Sequence, residues 1–299
     1  MSTQATARPL PAPYLGPRFN WMNSILVLIG VGAIAWSING TGFSLLVPFE
    51  PNNIKSVTRF VGGLFPPALE PDFLRSIGRL VLETIQISIL GTFVAIALGF
   101  PLGVLALRQR GEEVSRSALG PLGWILHWAT YYASRTVLNV LRAVPELVWA
   151  LIFVVSVGLG PFPGVLALAA HSTGILGKLY AELFESVDQR LVEAGRSTGA
   201  TSLAVLLFVQ LPSMLPVLLS YTLFRWECNM RAATLLGFVG AGGIDSQLII
   251  SMKLFQYNEV LTLATAILLL VILVDLVGQV IRTRVLDSRS VACQILVED

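Results

Sequence analysis

The stretch VLTLATAILLLVILVDLVGQVI, residues 260–281, holds 22 residues and one charge, Asp275. Wound as a helix at about 1.5 Å per residue it covers roughly 33 Å, enough to cross the ~30 Å hydrocarbon layer of a bilayer. Working outward from it, comparable apolar runs occupy residues 21–38, 85–107, about 145–160 and about 163–180, with another starting near Leu211. The 299-residue chain therefore reads as an all-α polytopic membrane protein with six transmembrane helices. Composition agrees: 55% of residues are hydrophobic and 13% charged, against about 25% charged in soluble domains. Mean hydropathy is +0.75, which excludes an ordinary soluble domain. Two cysteines, Cys228 and Cys293, make no disulfide scaffold, and no Cys/His cluster has metal spacing, so no metal site is expected. A net charge of +2 is too small to suggest nucleic-acid binding.

The polar segments between the runs set the organisation. Residues 1–20 are Pro-rich, carry Arg8 and Arg18 and lack a small-residue cleavage site, which reads as a cytoplasmic tail rather than a signal peptide. Residues 21–79 hold the first span and an outer loop. Pro48, Pro51, Pro66, Pro67 and Pro71 predict an irregular loop there, followed by a short amphipathic surface helix. The second run is broken only by Pro101, and the third and fourth meet at the tight turn Gly160-Pro161-Phe162-Pro163, which makes them an antiparallel pair. The core spans 80–281 and a cytoplasmic tail 282–299. With the N-terminus inside, the inner segments hold twelve basic residues: Arg8, Arg18, Arg108, Arg110, Arg116, Arg135, Lys178, Arg190, Arg196, Arg282, Arg284 and Arg289. Lys55, Arg59, Arg75, Arg79 and Lys253 make five outside, a bias that places both termini in the cytoplasm.

Within the fifth run, a helix started at Leu211 carries Arg225 about 21 Å along its axis, inside the membrane, where a charge must face protein or water. Glu227 and Arg231 are four apart and predict an ion pair on one face; Arg225 and Asn229 share another face. Arg225 thus has no local carboxylate and needs a distant one, such as Glu146, or an anionic ligand in a wet cavity. Two readings stay open here. Arg225, Asn229, Arg142, Glu146 and His171 form a substrate pathway, or their charges are structural pairs, since Arg142 and Glu146 are also four apart. Further on, Gly237, Gly240, Gly242 and Gly243 end the helix in a gate loop or in an ordinary turn. His171 reads as a titrating or substrate-contacting group or as one satisfied by a backbone carbonyl. Asp275 reads as solvated or helix-capping near the inner end.

After the fourth run comes Glu193-Ala194-Gly195, then Gly199, then Val209-Gln210-Leu211-Pro212. This spacing resembles the cytoplasmic EAA motif of ABC importer permeases, with Gly195 in place of the second Ala and Val209 in place of the usual Ile. The resemblance implies that residues 190–212 are the coupling loop, in which Glu193, Ala194, Gly195, Gly199, Leu211 and Pro212 dock on an ATP-binding subunit. The stretch Tyr221-Thr222-Leu223-Phe224-Arg225-Trp226-Glu227-Cys228-Asn229-Met230-Arg231 and the glycines after it resemble phosphonate importer permeases. So do Arg142-Ala143-Val144-Pro145-Glu146, Val157-Gly158-Leu159-Gly160-Pro161-Phe162 and His171-Ser172-Thr173-Gly174. The likeness covers about residues 80–281.

What the resemblance implies is an ABC importer permease of type I-like architecture in a bacterial inner membrane, moving a phosphonate or a phosphite-like oxyanion by alternating access. Its implied partners are a second copy of itself, two ATP-binding subunits and a periplasmic or lipid-anchored substrate-binding protein. The chain has no Gly-x-x-x-x-Gly-Lys-Ser/Thr loop, so ATP and Mg belong to the partner and no cofactor is expected on this chain. It shows no His-Glu-x-x-His or Gly-x-Ser-x-Gly constellation, so the chain reads as a transport subunit and not an enzyme. An importer for another small solute, and an ATP-independent secondary transporter or channel, remain the alternatives.

Overall fold

A computed structural model describes residues 21–44, 47–107 and 116–298, with the side chains at 23, 48, 116–119 and 285–298 left aside. The expected tail at 1–20, Arg108 and Arg110 lie outside the described residues, as do the side chains of Arg116, Arg289 and Cys293. The described residues form helices and no strand: α1 (Trp21–Thr41), α2 (Pro51–Gly63), α3 (Pro71–Leu105), α4 (Arg116–Ala143), α5 (Glu146–Val157) and α6 (Pro161–Glu185). Then come α7 (Gln189–Ser197), α8 (Ser202–Val205), α9 (Leu211–Leu235), α10 (Ile244–Lys253) and α11 (Tyr257–Glu298).

The chain divides into two compact units at Arg59 and Phe60. In the first, α1 is apolar on every face and exposed on nearly all of them, the signature of a helix surrounded by lipid. In the segment expected to be mostly loop, Pro51 and Pro71 do not break helices but open them, at the first position of α2 and α3, where a missing N–H costs nothing.

The second unit is built around α6. Fourteen of its residues are buried, against α3, α4, α5 and α9. The approach of α3 is set by a ladder of small residues, Gly91, Ala95, Gly99 and Gly103, one per turn along one face. A Cβ on Gly99 would lie 3.2 Å from the Gly177 nitrogen, and one on Gly103 would lie 2.6 Å from the Gly177 carbonyl oxygen, so backbone packs on backbone. α4 meets the other side of α6 in the same way at Gly174.

Among the described residues four helical stretches are long and apolar enough to cross a membrane: residues 24–41, Pro71–Leu105, Ser202–Val239 and Tyr257–Arg284. A fifth arises if α4 and α5, which meet at a 92° bend, count as one broken span. This corrects the third expected span. α5 has 12 residues, about 18 Å, too short to cross alone. The missing length comes from α4, which lies outside the expected apolar runs because Trp, Tyr, His, Ser, Thr and Asn dilute its hydropathy. The second span likewise starts earlier, at Pro71, and runs through Pro101 into its last turn. The turn before α6 is tight as expected, with Gly158 (φ +105°) and Gly160 (φ +132°) taking backbone that side chains resist.

Candidate functional site

Three helices carry a buried polar chain through the middle of the second unit. The Arg225 Nε–H on α9 donates to Ser172 Oγ on α6 at 3.0 Å, and the Ser172 hydroxyl donates to Asn229 Oδ1 at 2.7 Å. Asn229 Nδ2 donates to Thr92 Oγ1 on α3 at 2.9 Å, and the Thr92 hydroxyl returns to the Ser88 carbonyl at 2.7 Å. Ser88, Ser172 and Asn229 are fully enclosed, so each buried polar group must find a partner, and each does. Asn229 is thus enclosed and reaches Arg225 only through Ser172. No hydrogen bond uses the η nitrogens of Arg225 among the described residues, so the chain holds the guanidinium by one edge.

His171, the residue before the Ser172 that holds Arg225, faces the break between α4 and α5. Pro145 precedes α5, and Glu146 occupies its first turn, where the helix dipole favours a carboxylate. His171 spans the break: its Nδ1 donates to the Val144 carbonyl at 2.9 Å, and its Nε2 lies 3.4 Å from Glu146 Oε2. Trp149 Nε1 donates to the Leu141 carbonyl at 3.1 Å, taking up another carbonyl that the end of α4 leaves bare. Arg142 does not pair with Glu146, because the bend turns Glu146 toward His171; the Arg142 Nε–H donates to Asn139 Oδ1 at 3.2 Å.

The expected pair Glu227–Arg231 is replaced by two bridges from α9 to α11. Arg282 Nη2 holds both Glu227 oxygens at 2.7 and 3.0 Å, and Arg231 Nη2 holds Asp275 Oδ1 at 2.8 Å. The reason is the antiparallel packing of the two helices, which brings Asp275 and Arg282, two turns apart on α11, level with Arg231 and Glu227. Gly278 lies between them, and a Cβ there would strike the Glu227 carboxylate, so its missing side chain makes the seat. Asp275 is thus an ion-pair partner rather than a helix cap.

The glycine-rich segment is a packed turn. Gly240, Gly242 and Gly243 have φ of +80°, +80° and +86°. Glu83 Oε1 and Thr84 Oγ1 on α3 accept from the Gly243 and Ile244 nitrogens at 3.0 and 3.1 Å, and the Gly160 nitrogen donates to the Gly240 carbonyl at 3.0 Å. A Cβ on Gly237 would lie 2.8 Å from that of Asp245, the second residue of α10. Asp245 is 2% exposed, its Oδ2 has no hydrogen-bond partner among the described residues, and burial pushes its carboxyl up to about 6.

The expected coupling segment forms a helix, a turn and a second helix. Asp188 caps α7 by accepting from the Arg190 nitrogen at 3.0 Å, and Thr201 caps α8 by accepting from the Ala204 nitrogen at 3.3 Å. Between them Gly199 takes φ +77° with nothing within 4 Å of where a Cβ would stand. Val192 is buried with Val187 and Val205, while Glu193 and Ala194 face outward. Gly195 packs on Val209, 3.1 Å from where its Cβ would be, so the small residue matches a close contact. Leu206–Gln210 forms a π-helical turn just before Leu211 and Pro212, a widening that accommodates a proline ring lacking an N–H.

Thr92, Gly278 and Asp245 carry no sequence expectation, and Ser172 and Arg282 enter only through the resemblance and the charge bias, not as site residues. Ser88 and Thr92, four apart in an apolar run, carried a local signal; Arg282 at the end of α11's apolar run did not.

The family model described as binding-protein-dependent transport system inner membrane component matches residues 120–289. The phosphite transport system permease protein PtxC of Stutzerimonas stutzeri is 36% identical over 264 residues, 87% of this chain and 88% of its own. The phosphate-import permease protein PhnE of Mycolicibacterium smegmatis is 33% identical over 257 residues, 86% of this chain and 44% of its own. A solved chain of the MetNI methionine ABC transporter, inward facing, shares the fold at 21% identity and a TM-score of 0.56, covering 73% of this chain and 99% of that one. The chain belongs to the family of binding-protein-dependent transport system inner membrane components, and is a permease subunit of an ABC transporter, a transport component rather than an enzyme.

Proposed function

We propose that this chain forms the transmembrane path of an ATP-driven importer for a phosphonate or a related phosphorus oxyanion such as phosphite. The observation that carries the reading is its likeness, over nearly nine tenths of its length, to a permease named for phosphite transport. The geometry supports it. Arg225 is held by Nε alone, which leaves its two η nitrogens for a bidentate contact with an oxyanion. His171, next in sequence to the Ser172 that holds Arg225, pairs with Glu146 at a helix break, the kind of irregular backbone that membrane proteins keep where it lines a cavity.

In this reading α1, α3, the bent α4–α5 pair, α6, α9 and α11 make six crossings, α6 being shielded from lipid by its neighbours. Six crossings return both termini to the cytoplasmic side, the side rich in Lys and Arg. Residues 80–281 then form the permease core. Two copies make the path, two ATP-binding subunits carry ATP and Mg, and a periplasmic or lipid-anchored binding protein delivers the anion. ATP-driven closure of the partner subunits is passed through Glu193, Ala194, Gly195, Gly199, Leu211 and Pro212, and the cavity switches sides. Gly237, Gly240, Gly242 and Gly243 serve as the gate at the outer end of α9. Phosphate is the second cargo to weigh, because the PhnE relative is named for it.

The test is uptake by the complex with its cognate subunits, given phosphite, methylphosphonate or phosphate. Phosphite or methylphosphonate uptake is expected, lower in Arg225→Lys, which keeps the charge without the planar fork, and lower still in Arg225→Gln. Normal uptake by Arg225→Gln, or its loss solely through absence from the membrane, sinks the role of Arg225; uptake of phosphate alone sinks the cargo.

A further inference from the structure

A second group of cations, Arg135, Arg142 and Lys178, lies where α4 meets α6. Arg135, Asn139 and Arg142 recur at intervals of four and three along α4, so they share a face; His171, Ile175, Lys178 and Glu182 do the same on α6. The two faces meet. Asn139, Arg142, Ala143, Ile175 and Lys178 line an open cavity of about 530 Å³. A narrower cleft of about 60 Å³ continues from it, sharing Asn139 and Lys178 and reaching Arg135. There Arg135 is tied down, its Nη2 on Glu185 Oε1 at 2.6 Å and its Nε on the Ala106 carbonyl at 3.1 Å.

The charges inside the cavity are only partly matched. Arg142 is bonded to a neutral amide, Asn139, and its side chain is exposed. Lys178 stands 3.6 Å from Glu182, which is itself 58% exposed. An exposed guanidinium at the last turn of a helix in a bent membrane span does not face hydrocarbon; it faces water or an anion. Position adds the rest. Ile175 is one turn from His171 and Lys178 two turns, about 10 Å, toward the end of α6 that leads into α7. Arg142 is two residues before Val144, the carbonyl that His171 holds.

We infer that Arg142 and Lys178 form a second subsite for a small tetrahedral oxyanion, which receives the anion after it leaves Arg225 and before it exits on the side of α7. Lys178 supplies a movable point charge and Arg142 a planar fork. Neither encloses the ion, which suits a station that must release what it binds. The inference rests on the importer reading above.

The test places a thiol in the cavity. In the assembled transporter with Cys228→Ser and Cys293→Ser, Ile175→Cys is labelled with a sulfonate-bearing and with a trimethylammonium-bearing methanethiosulfonate, each rate normalised to that of a free thiol. The anionic reagent is expected to be favoured by about tenfold, the scale on which like-charged clefts concentrate counter-ions. Arg142→Gln with Lys178→Gln should abolish the preference, and an oxyanion from a panel of phosphite, methylphosphonate, phosphate and sulfate should slow the labelling. In uptake, Lys178→Gln should lower the maximal rate several-fold at an unchanged half-saturating concentration, with Lys178→Arg restoring it. No labelling, no charge preference, no slowing by any member of the panel, or full-rate uptake by Lys178→Gln would each overturn the subsite, even with uptake and its dependence on Arg225 intact. A charge preference with slowing by sulfate, in a transporter that imports no phosphorus oxyanion, keeps the subsite and removes the cargo.

Discussion

Glu227 is 3% exposed, so its charge has to be matched inside the protein, and Arg282 matches it with two hydrogen bonds while itself 28% exposed. Removing one partner of such a pair costs about 3–5 kcal/mol, because the other is left enclosed and unmatched. The more enclosed partner is the carboxylate, so Arg282→Gln should lower thermal stability in detergent more than Glu227→Gln, and the double variant should recover most of the loss. Gly278→Ala should act like a mild Glu227 variant, since its methyl group takes the carboxylate's place. If Arg231→Gln destabilises more than Arg282→Gln, the partners are the sequence neighbours after all. Residue spacing alone pointed to Arg231, because four residues apart is the closest approach on a single helix. The second helix is what outcompeted it.

At the scale of elements, α7, the Gly199 turn and α8 behave as a unit whose shape depends on one backbone angle. Gly199 sits at φ +77° in open space, so a side chain there costs only backbone strain, about 1–3 kcal/mol for a branched residue. Gly199→Val should therefore reach the membrane at the wild-type amount while uptake collapses, with Gly199→Ala between the two. Normal uptake at normal expression would deny this turn a part in coupling. The Gly199 turn and the Leu-Pro after it were legible through the family resemblance, while the caps Asp188 and Thr201 emerge only in the folded segment. The bend between α4 and α5 was half legible. The apolar run begins at about Pro145, but aromatic and polar residues in α4 hid the helix before it. α6 shows the opposite: its polar His171, Ser172, Thr173 and Lys178 sit in the most enclosed helix because its neighbours, not lipid, surround it.

For the whole molecule the charge bias makes a topological prediction. With Cys228 and Cys293 replaced, Ser202→Cys should react with an impermeant thiol reagent only from the cytoplasmic side and Asn52→Cys only from the outside. Both positions are exposed, so access and not burial decides the result. Labelling of both from one side would overturn the six-crossing path. What the sequence by itself determined is what depends on neighbours in the chain: helical, membrane-spanning character, the start of an apolar run at about Pro145, the end of a helix at the glycines, and the placing of Arg225 without a carboxylate on its own helix face. Only the tertiary structure decided which distant groups meet: Arg225 with Ser172, 53 residues away, Asn229 with Thr92, 137 away, and Glu227 with Arg282, 55 away. Hydropathy and periodicity say which face of a helix is apolar, but a buried charge or amide is satisfied by whichever group packing brings within about 3 Å. Here that packing is set by small residues, the Gly91-to-Gly103 ladder against α6 and the gap at Gly278, which let whole helices approach until their polar groups touch.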